Sequence, residues 1–211
     1  MSSNPTSGPR GWKFARGLDF RITRDRPADV PRKPVIPSHD KALGNSEVAN
    51  GNYPNDIRLR AYEIYVQHGQ QPSRAMDDWL QAEREWNKAL VPQAFDTLFN
   101  KREYAAAERF WSPNYIQHSA HIEPGREGLF NLIKSIPPTL KYEPGTIVAE
   151  GDYVIVHGRF SGFGRTANWI AADIVRITDG VLAEHWDVIQ DEASGQESKS
   201  GLPMFGENFT K

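Results

Sequence analysis

At 211 residues with 38% hydrophobic content, the chain can build one good core, or one core with a short appended module, and part of it is expected to stay unpacked. A net charge of −2 argues against nucleic acid or anionic lipid as partner, and the absence of cysteine excludes disulfides, thiolate metal sites and a cysteine nucleophile. No apolar run approaches the roughly 18 residues that span a bilayer, and the opening Met-Ser-Ser-Asn-Pro-Thr lacks the apolar stretch of a signal peptide, so a cytoplasmic protein without membrane contact is expected.

Residues 1–55 carry seven of the fifteen prolines and nine Lys plus Arg against five Asp plus Glu, a net +4. Apolar residues there follow neither helical nor strand period. Such a segment buries too little surface to offset its ordering entropy, which predicts a disordered, basic, proline-rich tail. Trp12, Phe14 and Phe20 within it read either as a short docking motif or as incidental aromatics. Residues 56–91 change character. Asp56 is placed to cap a helix with Ile57, Ala61, Ile64 and Tyr65 on one face, ending near Gly69. A second helix from about Arg74 sets Trp79, Ala82, Trp86 and Ala89 on one stripe, completing an αα-hairpin.

Residues 92–192 are expected to open with Pro92 breaking that helix, followed by short helices over 94–100 and 104–111 and an extended piece over 115–118. A helix over 126–134 stops at Pro137-Pro138, and strands follow over 142–149, 153–160, 169–177 and 182–190. Asp179-Gly180 is a strong hairpin turn. Helices followed by an antiparallel meander predict an α+β domain. Residues 193–211 begin polar and form a C-terminal tail, flexible or with its Leu202-Pro203-Met204-Phe205 tip covering a pocket or a partner.

Strand pairing points to a site. A two-residue turn pairs Thr178 with Val181, and counting back sets Asp173 opposite Trp186, Val175 opposite Glu184 and Ala171 opposite Val188, all on one face with Trp169. If the preceding hairpin centres on Arg165, His157 lies directly across from Asp173, with Cβ atoms ~4.5–5.5 Å apart. A one-residue slip would separate them. A carboxylate and an imidazole among apolar walls suit acid–base work, and also fit a buried structural pair. Trp169, Glu184 and Trp186 are then candidate substrate contacts, while His185 and Asp187 are expected on the outer face. His118 and His121 have no carboxylate at a diagnostic offset, so no metal site is expected. No lysine falls on the predicted pocket face, which argues against a Schiff base.

The run IRLRAYEIYVQHG…DDWLQAEREW resembles a short bacterial domain of unknown function. SPNYIQH (112–118), GDYVIVHGRF (151–160), ADIVRITDG (172–180) and EHWDVIQ (184–190) resemble a SnoaL-like polyketide cyclase domain of the nuclear transport factor two-like superfamily. The resemblance implies a cone: a curved antiparallel sheet wrapped on N-terminal helices, with a pocket in its mouth. It implies a sheet aspartate as general acid/base with a histidine on the next strand, matching Asp173 and His157, and a pocket-facing His118 in contact with substrate, for which a structural hydrogen bond to a helix end is the other reading. It further implies aldol-type chemistry on a small carbonyl compound without cofactor, and a homodimer through the outer sheet face. A non-catalytic binding or dimerisation module of the same fold is the alternative. Epoxide hydrolysis would want a second carboxylate in the last strand, where this register places Val188.

Overall fold

Helix α1 (Tyr53–Gln67) ends where Gly69 and Gln70 adopt positive φ, and a 3₁₀ turn at Pro72–Arg74 leads into α2 (Ala75–Phe95). The structure, a computed structural model, describes residues 53–206, all within one unit of the chain. The predicted basic tail, with Trp12, Phe14 and Phe20, lies outside the described residues. Ile57, Ile64 and Ala82 form the buried seam of the hairpin, flanked by Tyr53, Trp79 and Trp86. His68 Nδ1 sits 2.7 Å from Asp78 Oδ1 and ties the end of α1 to the first turn of α2.

Pro92 does not break the helix, contrary to the sequence expectation: α2 runs to Phe95 and continues as a π turn over Asp96–Asn100. A proline inside a helix costs roughly 3 kcal/mol through its missing N–H and its clash with the carbonyl four residues back. Leu90, Val91, Phe95, Leu98 and Phe99 on the same run are all buried in the core. At roughly 1.5–3 kcal/mol for each large side chain, their burial outweighs that cost.

After α3 (Tyr104–Ala107) and a 3₁₀ turn at Glu108–Phe110, strand β1 (Trp111–Gln117) starts earlier than predicted and takes in Pro113. An edge strand tolerates that proline, and β1 is an edge. Helix α4 (Gly125–Ser135) is closed at its C-terminal end by Arg102, which donates to the carbonyls of Ile133, Ile136 and Pro137. Strands β2 (Lys141–Glu150), β3 (Tyr153–Ser161), β4 (Trp169–Thr178) and β5 (Val181–Asp191) complete a five-stranded sheet in the order β1-β5-β4-β3-β2. The β2–β5 meander is antiparallel as expected, and β1 joins it parallel to β5. The inner face packs on the C-terminal half of α2, the π turn and α4 to make the main core.

Register decides what faces that core. Asp179 and Gly180 both have positive φ, as a tight Asp-Gly hairpin requires. They pair Thr178 with Val181 and Ile177 with Leu182 as predicted. The next pair is Arg176 with Glu184, so Ala183 is an extra residue on β5, a β-bulge. Beyond it every β5 side chain is on the opposite face from the one the turn alone predicts. Asp173 therefore faces Asp187, Val175 faces His185, and Ala171 faces Ile189. Between β3 and β4, Val156 pairs with Asp173 and His157 with Ala172, one residue away from the predicted register.

Candidate active site

A small cavity of about 80 Å³ opens between the inner sheet face, α4 and the loop after β1. Its walls are apolar, with Phe99, Leu129, Ile133, Phe160, Phe163 and Trp169 among them. The polar groups that reach it are Asp173 from β4, His185 and Asp187 from β5, Tyr115 from β1, and Ser119 and His121 from the following loop. His121 lies 5.7 Å from the Trp169 ring in a stacked arrangement. Strand alternation puts Asp173 inward, and the Ala183 bulge brings His185 and Asp187 to the same side.

The hydrogen bonds fix a proton count. The Ser119 backbone N–H donates to Gln117 Oε1 over 2.9 Å, and because a backbone N–H can only donate, this sets the orientation of the amide. His185 Nδ1 is also 2.9 Å from Gln117 Oε1, so Nδ1 carries a hydrogen and donates it. His185 Nε2 is 3.1 Å from Asp173 Oδ1. Only one proton lies between those two atoms: either Asp173 is a neutral acid donating to a neutral imidazole, or a carboxylate accepting from an imidazolium. Asp173 and His185 are only 3% and 5% exposed. Burial raises the proton affinity of Asp173 above the ordinary carboxylate range; the His185 contact opposes that shift without cancelling it, and Asp187 adds to it. Asp173 Oδ2 is buried without a hydrogen-bond partner. Burial also pushes the Tyr115 phenol up, so it stays a neutral donor.

Residues 92–185 match the family described as a SnoaL-like domain. This segment is a SnoaL-like domain. Residues 54–86, just before it, match a family described as a protein of unknown function, DUF2934. No curated protein matches the chain. Among solved structures it is similar to AclR of Streptomyces galilaeus, provisionally named a hydroxylase, at 25% identity over 49% of this chain and 78% of that one, with a TM-score of 0.41. IdmH of Streptomyces antibioticus, provisionally named a polyketide cyclase, is 18% identical over 49% of this chain and 91% of its own, TM-score 0.41. A protein of Kribbella flavida provisionally named a ketosteroid isomerase is 14% identical over 61% and 96%, TM-score 0.48.

Within the SnoaL-like domain, only some of the residues predicted for the site come together. Asp173 and Trp169 line the cavity. His157 does not reach Asp173: paired with Ala172, it points to the outer face, where its ring lies 5.6 Å from Phe205 of the C-terminal segment. The apolar tip of that segment thus rests on the outside of the sheet, against His157 and Gly145. Glu184 and Trp186 are also outside, because of the bulge. There His118 Nε2 meets Glu184 Oε1 at 2.8 Å and stacks on Trp186 at 4.7 Å, while Arg176 donates to the other Glu184 oxygen. His118 is therefore part of an outer cluster, not of the pocket, and is well separated in role from His121. Ile116, Val148, Tyr153, Ile155 and Val188 are exposed on this same face.

His185 and Asp187 lie inside, not on the outer face that the turn alone predicts, so the carboxylate that the last strand brings to the pocket is Asp187, where the predicted register has Val188. The cavity lining includes no arginine among the described residues. Gln117, which holds His185, and Tyr115 had no signal beyond their place in the SPNYIQH run. The described residues contain no group of three or more His, Cys, Asp or Glu side chains placed to hold a metal ion, and no helix among them is long and apolar enough to cross a membrane.

Proposed function

We propose that the SnoaL-like domain carries out proton transfer by side chains alone on a small, largely apolar carbonyl compound, of the kind that closes a ring by intramolecular aldol addition. The observation that supports this reading is a buried carboxyl, Asp173, tied through one oxygen to His185 and unpaired at the other, at the polar end of an apolar cavity. With the shared proton on His185, Asp173 Oδ2 is a desolvated carboxylate oxygen suited to act as general base. It takes a proton from the carbon between two carbonyl groups, and the hydroxyls of Tyr115 and Ser119 are at hand for the enolate oxygen. The enolate carbon then bonds to a second carbonyl of the same molecule. The alkoxide so formed takes the proton back from Asp173, and no atom is gained or lost.

A panel of 1,3-dicarbonyl and β-hydroxycarbonyl compounds tests the proposal. Asp173→Asn should lower kcat/KM by about 10²–10⁴-fold with the fold intact. The native rate should rise with pH through a limb above the ordinary carboxylate range, because Asp173 must ionise to act and burial holds its proton on. Undiminished turnover in the asparagine variant refutes the role of Asp173. Thermal stabilisation by panel members with no turnover would instead favour a binding module of this fold.

A further inference from the structure

Tyr142 on β2 is held through both its ring and its backbone. Its ring is enclosed by Phe95, Phe99 and Phe160, with centroids 5.3, 5.6 and 4.7 Å away. Its backbone is held at both ends by Asn100 of the π turn: Tyr142 N–H donates to Asn100 Oδ1 over 2.8 Å, and Asn100 Nδ2 donates to Tyr142 O over 3.1 Å. Yet the hydroxyl of this residue, 2% exposed, has no hydrogen-bond partner. A buried hydroxyl left unpaired costs about 1–3 kcal/mol, so phenylalanine would be the better residue if packing were all that mattered. The hydroxyl occupies space that exists only because residue 158 is glycine: a Cβ there would lie 2.6 Å from it. On β3, Val156 lies directly across from Asp173 and Gly158 lies diagonal to it, opposite Ala171. Asp173 Oδ2 is likewise buried and unpaired, as are Gln117 Nε2 and Trp111 Nε1. Tyr142 and Asp173 interact, the carboxyl raising the phenol's hold on its proton and the phenol lowering that of the carboxyl.

We infer that Tyr142 is a positioning residue for Asp173: its hydroxyl, unpaired in this structure as Oδ2 is, turns to donate to that oxygen when Asp173 ionises, from a slot kept open by Gly158, and holds the carboxyl plane against His185. An ionised oxygen has two lone pairs, so one directed at Tyr142 leaves the other for substrate. The groups that titrate or carry charge around Asp173 are His185 and Asp187 from β5, Tyr115 from β1, Tyr142 from β2 and, across the same cavity, His121 from the loop after β1. Of these, Tyr142 and His185 favour the ionised carboxyl, whereas Asp187 opposes it. Removing the tyrosine hydroxyl therefore shifts the shared proton toward Asp173.

The inference rests on the proposed role of Asp173 in proton transfer, but its test needs no substrate. Infrared titration of the full chain follows the protonated carboxyl C=O band that disappears in Asp173→Asn. In Tyr142→Phe that band should persist to a pH about one unit higher than in the native protein. Gly158→Ala, which drives the hydroxyl out of its slot, should shift it in the same direction. An unchanged or lower midpoint in Tyr142→Phe overturns the inference, whatever becomes of Gly158→Ala. A shifted midpoint with no turnover on any carbonyl substrate leaves the positioning role standing and removes only the proposed reaction.

Discussion

A carboxyl 3% exposed, with a second carboxylate directly across the strand pair, is held at a cost in stability. One imidazole offsets that cost only in part, since the net effect on Asp173 is a raised proton affinity. The folded state therefore binds this proton more tightly than the unfolded chain does. Its contribution to stability is full below the ordinary carboxylate pKa and is lost as pH rises through the raised native value. Asp173→Asn, which carries no charge and can still donate to His185 Nε2, should then be more stable than the native protein at neutral pH, by about 1 kcal/mol. Denaturant unfolding at neutral and acidic pH checks this, and the advantage should shrink on acidification. If the asparagine variant is no more stable at neutral pH, the His185 contact compensates fully for burial. A site residue whose removal stabilises the fold is the expected mark of function rather than packing.

Among the elements, those set by side-chain period and turn chemistry were legible, and those set by a single inserted residue were not. All four meander strands lie within a residue or two of their predicted bounds, because alternation and the Asp179-Gly180 turn are strong local signals. Asp173 could be read as inward for the same reason. Its partner could not, because nothing in Val-Leu-Ala-Glu-His-Trp-Asp marks Ala183 as the residue that bulges. Trp186 and Val188 look as suited to a core as His185 and Asp187 look suited to solvent, so hydrophobic patterning favoured the wrong face. The β3–β4 register failed similarly, since the loop between Ser161 and Trp169 has no residue that fixes its centre. Deleting Ala183 isolates the effect of the bulge. Alternation would then turn His185 and Asp187 outward and Trp186 inward, breaking the pair with Asp173. Urea unfolding should show a loss of about 3 kcal/mol, and His185 should become reactive to histidine-modifying reagents. A deletion variant with native stability and a protected His185 would mean that the register is set elsewhere in the sheet.

Taken as a whole, the described part of the chain joins two family segments without a linker between them. Helix α2 begins in the hairpin and ends in the core of the SnoaL-like domain, and Trp86 packs against the buried clusters of both. Two turns of the meander receive the hairpin. Asn87 Nδ2 donates to the Gly151 carbonyl over 3.1 Å, and the Tyr53 ring lies against Gly180, where a Cβ would come within 2.6 Å of Tyr53 Cγ. Burial, with help from Glu83, Asp152 and Asp179, pushes the Tyr53 phenol up to about 12. Because the docked form keeps the proton, the stability this contact provides is full below pH 10 and is lost as pH rises from 10 toward 12. Gly180→Ala should act on the turn and on the docking together. A side chain at φ +76 costs about 1–2 kcal/mol in its own right, and the displaced ring should titrate closer to an ordinary tyrosine. Ultraviolet titration against a Tyr53→Phe reference separates the two effects. A destabilised alanine variant in which Tyr53 still titrates near 12 would confine the cost to the turn and show that the hairpin does not lean on it. A fall in both would tie the hairpin to the strand pair that carries Asp173 and His185.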